Sequence, residues 1–214
     1  MNQTLIVLTI QMIVAPFVVM TIYGFTKAFI SSKLGDPLPK RDRRITLNPL
    51  KHIEVIGFLL FIVTGVFGWS RPVETSNLYY KNRKRDILIT NLTPIILLMV
   101  LALGFRVLFL TSRLNVAPYF EVTDIDFIVG VLYRQIASFS MILAVVNLIP
   151  ITPFDGGKIL LLYLNPNQTV SLASKERAIL FIVTFMMIIW PANPLTMLLE
   201  LISTNLLSIA RLLI

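Results

Sequence analysis

Six apolar runs divide this chain, at residues 5–30, 55–69, 87–110, 127–149, 178–190 and from the break "PANP" to Ile214. The longer ones exceed the roughly 20 residues a helix needs to cross the hydrocarbon core of a bilayer. In lipid every backbone N–H and C=O must be paired within the protein, so the crossing segments are helices. The makeup agrees: 56% of residues are hydrophobic, 14% are charged, and the mean hydropathy is +0.82. The expectation is an all-α polytopic membrane protein, a single transmembrane domain over 1–214 with about four to six helices. The first run lacks a basic leader and is too long for a cleaved signal, so it reads as a retained helix.

The charges set the topology. Lys33, Lys40, Arg41, Arg43, Arg44 and Lys51 follow the first run, and Arg71, Lys81, Arg83, Lys84 and Arg85 follow the second. Lys and Arg gather in cytoplasmic loops near span ends, so both flanks of 55–69 belong on one side. A single crossing cannot satisfy that, and the segment near 52–75 is read as a re-entrant or β-hairpin dip. The net charge of +8 is explained by this topology rather than by nucleic acid, since no basic stripe interleaved with aromatics accompanies it. Arg106 and Arg134, toward the outer ends of their helices, are expected to snorkel to water or meet the acidic loop carrying Glu121, Asp124 and Asp126. A channel or transporter role has only these charges and the dip to support it.

The chain has no cysteine and one histidine, His52. Catalytic zinc takes three protein ligands, usually dominated by histidine, so a usual zinc site cannot be assembled. A structural role in the 52–75 region is expected for His52.

The stretch "NLIPITPFDGGKIL" (147–160) is the most specific signal in the chain. With "KLGDPLPKRDRRITLNPLKHIEVIG" (33–57), it resembles the site-2 protease family of intramembrane zinc metalloproteases. Asn147, Leu148, Pro150, Pro153, Asp155, Gly156 and Gly157 match that family's Asp-Gly motif, and Lys158 keeps its basic character. The resemblance implies a site-2 protease-like helical bundle. It also implies that the HExxH motif should fall on Tyr23, Gly24, Phe25, Thr26 and Lys27, where no motif residue remains. In active members the two histidines and the aspartate hold zinc, and the glutamate activates water. This chain is therefore read as a degenerate member without HExxH, and zinc is expected to be lost. "NLTPIILL" keeps Pro94 of another family segment, but Thr93 and Leu97 depart from the Gly-Pro and following asparagine expected there.

Asp155 then needs a partner, because an unpaired carboxylate at membrane depth is costly. Lys27, with Tyr23 on the same helix face at i and i+4, is the expected one: an ion pair of Lys27 and Asp155 at the metal's place. The alternative is that Lys27 snorkels while Asp155 caps a helix starting at Gly156. The resemblance implies a pseudoprotease acting as a binding or scaffold subunit, its groove formed by Asn147, Pro150, Pro153, Asp155 and Gly156. Its partners would be other integral membrane proteins, or their transmembrane segments, and the bilayer of the bacterial inner membrane. The other reading is an active intramembrane zinc metalloprotease with unrecognised ligands.

Overall fold

The computed structural model describes residues 3–65, 68–111, 125–152, 154–189 and 194–213. The helices in order are α1 (Gln3–Lys33), α2 (Leu38–Arg41), α3 (Val55–Thr64), α4 (Arg83–Thr111), α5 (Ile125–Leu148), α6 (Asp155–Leu160), α7 (Pro166–Ile189) and α8 (Pro194–Ser208). A short 3-10 turn, Ile209–Leu212, follows α8. Among the described residues there is no strand, and the fold is that of an all-α membrane protein. Among the described residues three helices are long and apolar enough to cross a membrane: Met12–Lys33, Arg83–Thr111 and Ile128–Leu148.

These three form the body of the molecule, with α4 and α5 sharing the widest contact and α1 packed on both. Ala15, Val19 and Met20 of α1 meet Ile95 and Leu98 of α4 and Phe139 and Leu143 of α5 in the main core. Small residues on α1 and α5 let the backbones approach, as bilayer packing favours where no hydrophobic force acts between helices. Pro16 and Pro94 lie inside α1 and α4, which membrane helices tolerate when neighbours satisfy the freed carbonyls.

Of the two expectations for the 52–75 region, the described residues form a short helix, α3, and no β-hairpin strands. Glu54 caps α3 through its side chain, which accepts from Gly57 N at 2.6 Å. At ten residues α3 is about 15 Å long, half of a hydrocarbon core. The chain then returns to its start: Ile53 and Ser70 form an isolated antiparallel bridge, and Arg71 N donates to His52 O at 2.8 Å. The close return needs a residue without a side chain, since a Cβ on Gly57 would run into the Trp69 carbonyl. Phe61 stacks at a tilt on Phe139 of α5, ring centroids 4.1 Å apart, and fixes α3 to the bundle.

One boundary differs from the sequence reading. The polar stretch "NPNQTVSLASKER" ahead of the apolar run at 178–190 is the first half of α7, which starts at Pro166 rather than near 178. Proline suits a first helical position, and Gln168 Oε1 accepts from Asn165 N at 3.0 Å, half of a capping box. Of the two span arginines, Arg106 is half-buried with its guanidinium 5.2 Å from the Phe109 ring centre, and Arg134 is exposed. Glu121 and Asp124 lie outside the described residues.

Candidate functional site

Tyr23 and Lys27, one turn apart on α1, converge on the first residue of α6. Lys27 Nζ contacts Asp155 Oδ1, and the Tyr23 hydroxyl lies 2.6 Å from Oδ2. Lys27 and Asp155 are each only 2% exposed. Lys27 therefore does not snorkel, and Asp155 does not cap: Phe154 holds the N-cap position, and the carboxylate turns inward. The hydroxyl also stands 3.0 Å from Asn147 Oδ1, but it has one proton, which goes to the nearer and charged oxygen.

Two asparagines complete the centre. Asn91 Oδ1 accepts from Lys27 Nζ at 3.0 Å, while its Nδ2 donates back to Ile87 O at 2.7 Å. Asn147 is held alike, with Nδ2 on Leu143 O at 2.8 Å. Each amide is thus oriented by its own helix, with oxygen toward the donors on α1. Asn91 was missed in the sequence. The asparagine was sought three residues after Pro94, where Leu97 instead points outward; it comes from three residues before. The signal for it was a polar amide inside an apolar span.

Lys158, next turn on α6, brings a second cation 3.9 Å from Asp155 Oδ1. The turn from α5 into α6 is tight enough that a Cβ on Gly156 would overlap the Leu148 and Ile149 carbonyls. Of the expected groove residues, Asn147, Asp155 and Gly156 are buried here, Pro150 is exposed on the turn, and Pro153 lies outside the described residues.

Gly24 faces away from this pair. His52, fully buried, lays its ring against it, so that any Cβ at position 24 would overlap Nδ1. His52 Nε2 is 2.7 Å from Thr46 O; a carbonyl only accepts, so the proton is on Nε2. Nδ1 has no partner, and burial pushes the imidazole below its ordinary value, keeping it neutral. The histidine ties the 46–53 loop to α1.

Tyr23, Lys27, Asn147, Asp155, Lys158 and Glu176 line a cavity of about 110 Å³, closed on another side by Trp69 and Ser70. It shares Pro72, Val73, Lys158 and Glu176 with a cleft of about 790 Å³ that runs toward Arg83, Leu161 and Val170. Zinc binds imidazole, thiolate or carboxylate. The three converging positions offer a phenol, an ammonium and a carboxylate that both already satisfy, a donor set that does not fit zinc. No group of three His, Cys, Asp or Glu suited to a metal occurs among the described residues.

A model described as peptidase family M50 matches residues 10–190, which include every residue of this centre. The chain belongs to peptidase family M50. This is the site-2 protease family, and M50 membership with three apolar helices makes the chain an integral membrane protein. Among its relatives, "Putative zinc metalloprotease YwhC" of Bacillus subtilis (strain 168) is 27% identical over 191 residues, 84% of each chain. No solved structure matches.

Proposed function

We propose that this M50 chain is a pseudoprotease: it keeps the family's helical frame, does not cleave, and serves as a membrane binding or scaffold subunit. The observation that carries this reading is the ammonium of Lys27 against Asp155, with the Tyr23 phenol on the same carboxylate. The Lys27 nitrogen stands where a family zinc would be held, and while it donates to Asp155 and Asn91 it offers no lone pair to a metal. Gly24 supplies no carboxylate base, and the space beside it is taken by His52.

The frame retains room for a client. The large cleft beside the centre is of the size of a ligand pocket. The occupant on this reading is a transmembrane or partly unfolded segment of another integral membrane protein, which would reach the centre where Asn147 and Asp155 line the adjoining cavity. The membrane on this reading is the bacterial inner (cytoplasmic) membrane, which rests on the resemblance to bacterial members of the family; the relative is a bacterial protein. The test is metal analysis of the purified protein, a cleavage assay on candidate membrane substrates, and co-purification from native membranes in mild detergent. A stable partner without stoichiometric zinc is expected; stoichiometric zinc or cleavage overturns the reading.

The second reading, an active zinc metalloprotease, is favoured by the family description and by the relative's name. It requires ligands other than Tyr23 and Lys27. Zinc-dependent cleavage abolished by Asp155→Ala would establish it.

A further inference from the structure

The basic end of the bundle holds a second polar site that the proposed function does not use. It begins with a backbone turn. α2 ends with Arg43 N on Lys40 O at 3.1 Å and Arg44 N on Pro39 O at 2.8 Å, with Arg43 at φ +51°. This is the Schellman arrangement, whose left-handed position normally goes to glycine. An arginine there holds a strained backbone.

The turn sends the next residue inward. Arg44 is 7% exposed; its Nη2 donates to Arg71 O at 2.9 Å, and its buried Nε donates to nothing. A guanidinium N–H left unpaired in the interior is expensive. Arg44 lines a cavity of about 290 Å³ together with Lys51 and Arg71, both exposed, and with Pro72, Asp42 and Glu74. Asp42 is engaged by Arg41 Nε at 3.0 Å. Glu74 forms no ion pair with a described cation, though its charge and that of Asp42 both act on Arg44, so three cations face two carboxylates, one of them already engaged. Burial first, and then the charge of Arg71, presses Arg44 below the ordinary arginine value, a strain that an added anion would relieve.

We propose that this pocket binds a phosphate-type oxyanion, carried on an anionic lipid headgroup or free in solution, with Arg44, Arg71 and Lys51 as its ligands. Phosphate has acceptors only and matches the planar fork of guanidinium donors. The pocket lies in the basic loop just beyond α1, and basic segments beside a span attract anionic headgroups. On the same loop Leu47 and Leu50 are 65% and 72% exposed, apolar side chains suited to the acyl region beside such a headgroup. Pro72 lines this pocket, the central cavity and the large cleft alike, so an anion held by Arg71 braces their common wall.

The experiment uses the full chain in an uncharged detergent and phosphate-free zwitterionic buffer. Inorganic phosphate should raise the melting temperature more than chloride at matched ionic strength. Phosphate affinity should fall roughly tenfold in Arg44→Gln, the loss of one charge-assisted contact, and rise in Glu74→Gln, which removes the competing charge. If Arg44→Gln does not fold, the exposed Arg71→Gln and Lys51→Gln variants carry the same test. Native mass spectrometry from nanodiscs of phosphatidylcholine with and without phosphatidylglycerol separates the sources. Retention of phosphatidylglycerol that these variants abolish assigns the lipid; a phosphate effect without such retention assigns the free anion. Stabilisation no greater than by chloride, together with lipid retention indifferent to all three variants, overturns the proposal.

Discussion

Asp155 and Asp36 are both buried, at 2% and 1% exposure, yet they are satisfied by opposite means. Asp155 meets an ammonium and a phenol. Among the described residues Asp36 takes neutral donors: Ser31 Oγ at 2.8 Å, Ser76 N at 2.8 Å and Leu38 N at 3.0 Å. Around it, Ser31 and Thr90 both hydrogen-bond the Tyr80 hydroxyl, at 2.8 and 3.1 Å, joining the end of α1 to α4. The Asp36 network desolvates one carboxylate and satisfies it with fixed dipoles, from its own turn and from Ser76, 40 residues on. The charged one desolvates two ions, which well-packed apolar residues could replace at no loss of stability. A helix bundle needs joints of the first kind. The second is what remains, on the proposed function, when a metal position is kept and the metal is not.

The contrast can be broken most sharply at Lys27. Lys27→Met strands Asp155 in the interior and should cost about 3–5 kcal/mol, whereas Lys27→Met with Asp155→Asn should recover most of that. Unfolding of the purified protein in detergent measures both; equal losses in single and double variants would place the two side chains outside one energetic unit. Next come the two phenols. Tyr23→Phe removes a donor to a charged acceptor and should cost about 1.5–3 kcal/mol, while Tyr80→Phe removes bonds to neutral hydroxyls and should cost about 0.5–1.5 kcal/mol. If Tyr80→Phe proves the worse, the ranking of the two centres is reversed.

The smallest effect concerns His52, the one histidine of the chain. Its folded value is lowered by burial, so the unfolded chain takes up the proton first as the medium is acidified. The stability it contributes is complete above the ordinary histidine value and is lost as the pH falls from there through the lower folded one. Melting temperature should therefore decline between neutral and mildly acidic pH, and the decline should be shallower in His52→Asn. An identical slope in the variant would assign it to other groups.

Much of the site was legible from the chain because it rests on register. The family resemblance sets the lost motif on 23–27, which puts Tyr23 and Lys27 one turn apart on one helical face, and its Asp-Gly segment singles out Asp155. Asn91 was not legible, because a resemblance directs attention to the position where a family keeps its amide, and this chain reaches the same lysine from the preceding turn. The first half of α7 was obscured by its polarity, which a proline and a glutamine cap outweigh.

What the sequence alone determined is the class of molecule: long apolar runs, basic loops beside them and a short dip between two basic flanks leave a helical membrane bundle as the solution, since hydropathy and helical period are local properties. Whether Lys27 turns to Asp155 or to water was decided only by tertiary structure. Its partners Asn91 and Asp155 lie 64 and 128 residues away, and the packing of α1 on α4 and α5, which brings them within reach, excludes the water that would otherwise have claimed the charge.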